Sequence, residues 1–280
     1  MPVVGVLYDH PRWEEKAIVS ALRDLGAGVE LIHVESTPLM LGEPCCSLDA
    51  AVQRSLSLST AVASSYIVES WGVEVLNRGW VIQASGDKVA TLSLLSRAGV
   101  PVPRSVVLVG REGLGKVLPP GPPWVVKPVH GSWGRMVARA RDAEELEQLL
   151  EYKEYSRLPA SRVHLVQEYI RKPGRDVRVF TLGGEVLTAI YRVSDHWITN
   201  TSRGARAVPA EVDGELEELA LRVSEVLGGG FLGIDILEDP VAGFIVNEVN
   251  AVPEFRNTVR VTGRRIQVDV ARHLVDTARR

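Results

Sequence analysis

The chain has 280 residues, 45% of them hydrophobic and 24% charged, with a formal net charge of -3. This is an ordinary globular composition, long enough for two or three domains, and its slightly acidic balance argues against a nucleic-acid-binding surface. No apolar run reaches transmembrane length and the opening MPVVGVLYDHPRW lacks the basic-then-apolar layout of a signal peptide, so a cytoplasmic protein without a membrane partner is expected.

Residues 2–8 (PVVGVLY) form a short apolar run that predicts a strand. Helical spacing of Ala17, Ile18, Ala21, Leu22 and Leu25 follows, stopped by Gly26, and Val29 to Val34 predicts a second strand. This β-α-β opening implies a small parallel sheet, and it carries no GxGxxG dinucleotide fingerprint. Cys45 and Cys46 are adjacent, cannot staple a fold, and read as buried thiols. Residues 47–56 and 59–71 predict a further strand and helix, and a first domain boundary is expected near Ser85. Lys88 to Ala98 predicts a helix ended by Gly99 and Pro101, followed by a strand over 104–109.

Gly110 to Lys116 reads GREGLGK and satisfies G-x-x-x-x-G-K after a strand. A phosphate-binding P-loop also needs a hydroxyl residue next and a helix N-terminus behind it. Val117 takes the hydroxyl position and Pro119, Pro120, Pro122 and Pro123 forbid the helix, so the segment reads as a linker. Trp124 to Pro128 predicts a strand bearing Lys127, followed by a glycine-containing loop, HGSWGRM, whose small residues let backbone amides approach an anion. An acidic helix over 143–152 follows. A strand over 163–170 then ends in Gln167, Glu168, Tyr169 and Ile170. After a Pro173-Gly174 turn, Asp176 and Arg178 share one strand face. Residues 186–192 predict a strand with a long polar exit, SDHWITNTSRGARA, and 215–227 a helix closed by three glycines.

Residues 231–258 read FLGIDILEDPVAGFIVNEVNAVPEFRNT and predict an antiparallel hairpin turning at Asp239-Pro240 and Gly243. Symmetric pairing sets Asp235 across from Glu248, with Asn250 on the same face. Directly opposed acids repel, so a hard divalent cation with oxygen ligands is the expected counter-charge. A terminal helix over 264–279 packs Ile266, Val270 and Leu274 inward.

The strand lysine with its loop, the QEYI segment, Arg178, Arg192, Asn200 and the Asp235/Glu248/Asn250 set together resemble the ATP-grasp superfamily. KPVHGSWGR, QEYIRKPGRDVR, HWITNTSRG and NEVNAVPEFRNT resemble most its LysX-type branch. The resemblance implies an α+β fold. An N-terminal α/β domain would occupy 1–85, a central ATP-grasp lobe 86–170, and a C-terminal lobe 171–280.

It implies an ATP-dependent ligase joining α-aminoadipate to the C-terminal glutamate side chain of a small acidic amino-group carrier protein of the LysW type, through an acyl phosphate, in lysine biosynthesis. The alternatives are glutamate on the same carrier, a RimK-like protein glutamate ligase, or a non-catalytic nucleotide-binding regulator. Asn257-Thr258 after the EF pair favours α-aminoadipate. A homo-oligomer is expected.

By the same resemblance, Asp235, Glu248 and Asn250 would hold one or two Mg²⁺ ions, and Lys88 and Lys127 would neutralise ATP's phosphates. The stretch Gly131, Ser132, Trp133, Gly134, Arg135, Met136 and Val137 would cover them. Gln167, Glu168, Tyr169 and Ile170 would meet adenine. Lys127, Arg178 and Arg192 take catalytic roles, with Asp176 and Asn200 beside the nucleotide. Substrate would meet Arg192, Ser194, His196, Thr201, Ser202, Glu254, Phe255, Arg256, Asn257 and Thr258. His130 departs from the pattern, which has a small or hydroxyl residue there. A positive docking face for the carrier is expected among Arg203, Arg206, Arg256, Arg260, Arg264 and Arg265.

Overall fold

A computed structural model describes residues 1–110, 112–131, 134–155, 162–200 and 204–280. The expected opening is present. Strand β1 (Val3–Tyr8), helix α1 (Trp13–Asp24) and strand β2 (Gly28–His33) are followed by β3 (Ala50–Gln53), α2 (Leu58–Glu69) and β4 (Glu74–Leu76). The four strands form a parallel sheet in the order β2-β1-β3-β4. Gly26 ends α1 with φ 76°, a conformation that costs glycine little. Cys45 is exposed and Cys46 half-buried, so they are not the buried pair expected; their sulfurs stand 3.6 Å apart.

Helices α3 (Gly79–Gly86) and α4 (Lys88–Arg97) lead to a second sheet. Its strands are β5 (Ser105–Val109), β6 (Trp124–Lys127), β7 (Ala138–Ala140) and β8 (Val163–Glu168), ordered β5-β8-β6-β7 and backed by α5 (Ala143–Glu154). Gly113 to Lys116 forms turns rather than a helix start, as the prolines require.

The third sheet is the largest. Its strands are β9 (Arg175–Leu182), β10 (Glu185–Val193), β11 (Arg206–Ala210), β12 (Phe231–Asp239) and β13 (Gly243–Asn250), in the order β11-β10-β9-β12-β13. Helix α6 (Gly214–Val226) packs on one face, and α7 (Arg256–Thr262) and α8 (Ile266–Thr277) close the chain. Five short elements were not expected from sequence: β4, α3, β7, β11 and α7. Strand β7 has three residues. Strand β11 contains Pro209 and sits at a sheet edge, where a missing donor is tolerated. Helix α7 is rich in β-branched and polar residues with weak helix preference.

Strand alternation divides the third sheet cleanly. Val177, Val179, Ile234, Ile236, Val246 and Val249 enter a core with Leu95, Leu216, Ala220 and Val223. On the opposite face, Phe180 and Phe231 join Val4, Val6, Ile18 and Leu22 of the N-terminal unit, while Asp176, Arg178, Asp235 and Glu248 lie farther along it. Packing therefore crosses the linear partition of the chain. Helix α4, placed by sequence in the central lobe, buries Leu95 against the C-terminal sheet. Helix α8 buries Ile266, Val270, Ala271 and Leu274 in the N-terminal core.

The hairpin β12-β13 carries one correction. Asp235 does face Glu248, but not by symmetry. Extending the Asp239–Gly243 pairing evenly would set Asp235 opposite Asn247; a bulge at Asn247 brings Glu248 into register. At the tip, Asp239 Oδ1 accepts the amides of Val241 and Ala242, and Gly243 takes φ 77°.

Because α8 completes the N-terminal core, a fragment of residues 1–85 is expected to show no cooperative thermal transition by circular dichroism, whereas the full chain does. A sharp transition in the fragment would contradict that packing argument.

Candidate active site

Strands β9, β10 and β12 run side by side, and their registers stack charged residues across one face. Asp176 pairs with Arg192, and Asp235 lies between Arg178 and Glu248. Arg178 grips Asp235 with Nε to Oδ1 at 2.6 Å and Nη2 to Oδ2 at 2.8 Å. Arg192 grips Asp176 in the same two-pronged way at 2.7 and 2.8 Å, and its Nη2 reaches Asp235 Oδ2 at 3.0 Å. Such planar pairs are the strong ion-pair geometry. Thr199 donates to Asp176, and Lys172 reaches Thr199 Oγ1 at 2.5 Å.

Burial in the cluster is severe. Arg192 and Asp235 are each 2% exposed. Burial works against charge on Asp235, yet Arg178 and Arg192 hold its carboxyl below the usual range. Burial likewise opposes the charge on Arg192, but Asp235 and Asp176 raise its grip on the proton. These pairs change the reason for expecting a metal. In this chain the facing acids Asp235 and Glu248 coexist through cations of the protein: two arginines on Asp235, and Lys88 at 3.5 Å from Glu248 Oε1.

Three clefts meet at this cluster. The first is lined by Lys88, Lys127, Gly131, Gln167, Tyr169, Ile170, Asn200 and Glu248. The second runs beside it along Asn250 to Glu254, sharing Lys88, Arg192, Asn200, Asp235 and Glu248. The third holds Arg12, Glu254, Arg256, Asn257, Thr258 and Arg260, and meets the second at Arg178, Arg192 and Glu254.

In the first cleft, Lys127 Nζ donates to Asn247 Oδ1 at 2.6 Å and Lys88 Nζ to the Gly131 carbonyl at 2.6 Å. Burial pushes Lys127 down to about 8, with Lys88 and Lys172 adding to the fall while Glu248 and Asp235 oppose it. Burial also lowers Lys172. Gly131, Gly134, Arg135 and Val137 line this cleft, whereas Met136 is exposed and stands outside its wall. Ser132 and Trp133, and likewise Thr201, Ser202 and Arg203, lie outside the described residues. His130 lines the second cleft, its Nδ1 3.3 Å from the Gly86 carbonyl.

At the far end of the first cleft, Ile170 and Leu237 form a small apolar cluster with Ile245. Gln167 donates to Ser105 Oγ at 2.9 Å and keeps its buried Oε1 without a partner among the described residues. Glu168 also lines this cleft and accepts the Arg104 amide at 2.8 Å. Tyr169 meets Trp197 edge-on, with Arg139 5.2 Å from the tyrosine and 5.5 Å from the tryptophan ring centre.

Several expected substrate residues sit elsewhere. Phe255 is fully buried against Trp13 and Phe231, a core residue rather than a cleft wall. Ser194 and His196 line none of the three clefts; Ser194 Oγ accepts the His196 amide at 3.1 Å and His196 Nδ1 the Ile198 amide at 3.0 Å. Arg192 commits Nε and Nη2 to aspartates, so it cannot offer that fork to a substrate carboxylate while the pairs stand. Arg256, Asn257 and Thr258 do line the third cleft. Sequence reasoning missed Lys172, Trp197, Thr199 and Asn247. A basic residue beside the Pro-Gly turn signalled the first; only the bulge could have announced Asn247.

The donor set suits the implied ligands. Glu248 and Asn250 offer oxygens on one face, the chemistry a hard cation takes. The charged residues around the first two clefts are nearly balanced, Lys88, Lys127, Arg135, Lys172, Arg178 and Arg192 against Glu168, Asp176, Asp235, Glu248 and Glu254; Lys127, hydrogen-bonded to the neutral Asn247 side chain, is a cation suited to an anion.

The sequence matches the RimK-like ATP-grasp domain over residues 85–277 and the LysX pre-ATP-grasp domain over 4–84. It is 44% identical over 265 residues to the α-aminoadipate–LysW ligase LysX of Sulfurisphaera tokodaii, covering 92% of this chain and 93% of that one. It is 36% identical over 276 residues to the glutamate–LysW ligase ArgX of the same organism, covering 98% and 96%. Among solved structures, the RimK-domain ATP-grasp protein of Sphaerobacter thermophilus superposes with a TM-score of 0.77 at 23% identity, covering 98% and 99%. The ATP-grasp ligase PsnB, solved with minimal precursor, Mg and ADP, gives 0.73 at 19%, covering 99% and 98%. With the three-sheet architecture, the lysine-bearing cleft and both domain matches in place, the chain belongs to the RimK-like ATP-grasp family of ligases and carries a LysX-type pre-ATP-grasp domain ahead of it.

Proposed function

We propose that the chain is an ATP-dependent ligase that joins the α-amino group of α-aminoadipate to the C-terminal glutamate side-chain carboxylate of a small acidic LysW-type carrier protein, in lysine biosynthesis. The observation that carries this reading is the convergence of three clefts on one arginine–aspartate cluster, in a chain 44% identical to LysX ligases. A ligase that couples ATP cleavage to amide formation needs three substrates to meet at one place.

The apolar end of the first cleft, with Ile170, Leu237 and Tyr169, suits adenine, and the free Gln167 Oε1 is an acceptor suited to a base amino group. Lys127 and Lys88 sit where the phosphates would run. Glu248 and Asn250, with Asp235 behind them, would hold Mg²⁺, whose chemistry is to neutralise phosphate charge. The γ-phosphoryl group passes to the carrier carboxylate, giving an acyl phosphate. The amine then attacks the acyl carbon, the C–O bond to phosphate breaks, and amide and phosphate leave. Arg178 and Arg192, braced by Asp235 and Asp176, line the clefts that meet here and would stabilise the charge that develops. Arg256, with Asn257 and Thr258, suits the acidic amino acid in the third cleft. A second reading, glutamate in place of α-aminoadipate, draws on the ArgX relatives; Asn257-Thr258 favours the first.

The docking face needs revision from the sequence expectation. Arg264 is paired with Asp269 at 2.8 and 3.1 Å, so its charge is compensated locally, whereas Arg260 and Arg265 are exposed. Arg260→Glu with Arg265→Glu is expected to raise the KM for the acidic carrier about tenfold or more at low salt, with ATP affinity unchanged; steady-state kinetics at two ionic strengths checks this.

Glu248→Ala is expected to lower amide synthesis by about a hundredfold or more, measured as carrier-dependent ADP release, with little change in melting temperature. Full activity in that variant would sink the ligase reading. Titration of Lys127 supplies a pH test. Its ammonium carries the charge that phosphate needs, so ATP affinity is expected to weaken as pH rises through about 8. Lys127→Met should bind weakly with a flat profile, by calorimetry. The sign for stability is opposite. The unfolded lysine holds its proton up to about 10.5, so this group's burial penalty is full below pH 8 and relaxes between 8 and 10.5.

A further inference from the structure

The segment between Asn250 and α7 links the candidate metal face to Arg256, Asn257 and Thr258, and it has no regular structure of its own. Its main chain is instead held from outside by buried polar side chains of the N-terminal unit. Asn77, 1% exposed, donates to the Ala251 carbonyl at 2.6 Å and also brackets Phe231 through its amide and carbonyl, at 2.7 Å each. Arg54, 1% exposed, donates to the Pro253 carbonyl at 3.1 Å and lies 5.8 Å from the Phe255 ring centre. Glu14, 5% exposed, accepts the amides of both Phe255 and Arg256 through Oε1, each at 3.1 Å. Glu15 and Arg12 brace this set: Glu15 holds Arg54 at 3.1 Å and Arg12 at 2.7 Å, and Arg12 reaches Glu254 at 3.4 Å.

Every hydrogen bond that Asn77, Arg54 and Glu14 make to the segment goes to its backbone. They therefore dictate the path of the segment whatever side chains it carries. The segment cannot hold that path alone. Phe255 supplies no side-chain cap, with φ -132° and ψ 2°, and α7 has only seven residues, too short to persist without tertiary support. A buried carboxylate bonded to two amides is costly to lose, because both donors are left unsatisfied. Side chains that begin on Arg256 inherit whatever angle Glu14 sets for its amide.

We infer that Glu14, in the pre-ATP-grasp domain, is a positioning residue for the amino substrate: by fixing the Phe255 and Arg256 amides it sets the orientation from which Arg256, Asn257 and Thr258 meet the amino acid, and so its chain-length selectivity. The inference rests on the reading that the third cleft takes the amino acid. It gives the N-terminal unit a role in substrate choice: Arg12, Trp13 and Glu14 also line the third cleft, and the two hydrogen bonds of Glu14 run to the segment's amides.

The test compares Glu14→Ala, which removes the acceptor, with Glu14→Gln, which keeps an oxygen at the same reach, and Glu14→Asp, which draws it back by one methylene. For Glu14→Ala the KM for α-aminoadipate is expected to rise about tenfold, with the preference between α-aminoadipate and glutamate moving toward unity and the ATP KM within about twofold. Glu14→Gln should restore most of the loss and Glu14→Asp fall between, which keeps the test decisive if the alanine variant does not fold. Relative to the wild type, hydrogen exchange in each soluble variant should speed up over residues 255–262 in proportion to its KM change, and not over 243–250.

An amino-acid KM and preference that stay within about twofold while exchange accelerates would overturn the inference, as would ATP and amino-acid KM values rising together. In either case a wild type that turns over normally leaves the ligase reading standing. A wild type without amino-acid-dependent turnover would take both down.

Discussion

Two guanidinium forks hold this active-site face together. Arg178 on Asp235 and Arg192 on Asp176, tied to each other by Arg192 reaching Asp235, form a continuous charged ladder across β10, β9 and β12. Buried ion pairs contribute little net stability, since desolvation offsets their attraction, but removing one partner leaves a bare charge and is strongly destabilising. The ladder is therefore an all-or-nothing device. It fixes four side chains, and both arginines line the second and third clefts.

That bracing bears on how the site manages charge. Facing acids on a β-ribbon suggest a cation by repulsion alone, but here arginines and Lys88 already supply it. What points toward an anion is Lys127, whose burial lowers its hold on a proton and whose ammonium donates to the neutral Asn247.

Architecture serves the same end. One sheet carries an apolar face under α4 and α6 and a split opposite face, aromatic toward the N-terminal unit and charged toward the clefts. Helix α8 crosses back to complete the N-terminal core, while Glu14, Arg54 and Asn77 cross forward to hold the segment after β13. The parts are laced together in both directions, so the start of α7 is held by Glu14, 242 positions before Arg256 in sequence.

Local pattern in the sequence was enough for nearly every long element, for the face shared by Asp176 and Arg178, for the rejection of the GREGLGK P-loop, and for a family resemblance that the comparisons bear out. These follow from alternation, helical spacing and proline chemistry, which act over a few residues. Tertiary structure alone decided the rest. Asp235 meets Glu248 through a bulge that no periodicity announces; Phe255 is core because Trp13 and Phe231 close over it; Arg192 is engaged because β9 and β12 bring two aspartates within its reach. Each outcome depends on which distant side chain arrives within a few ångströms, and that is a property of packing rather than of the order of residues along the chain.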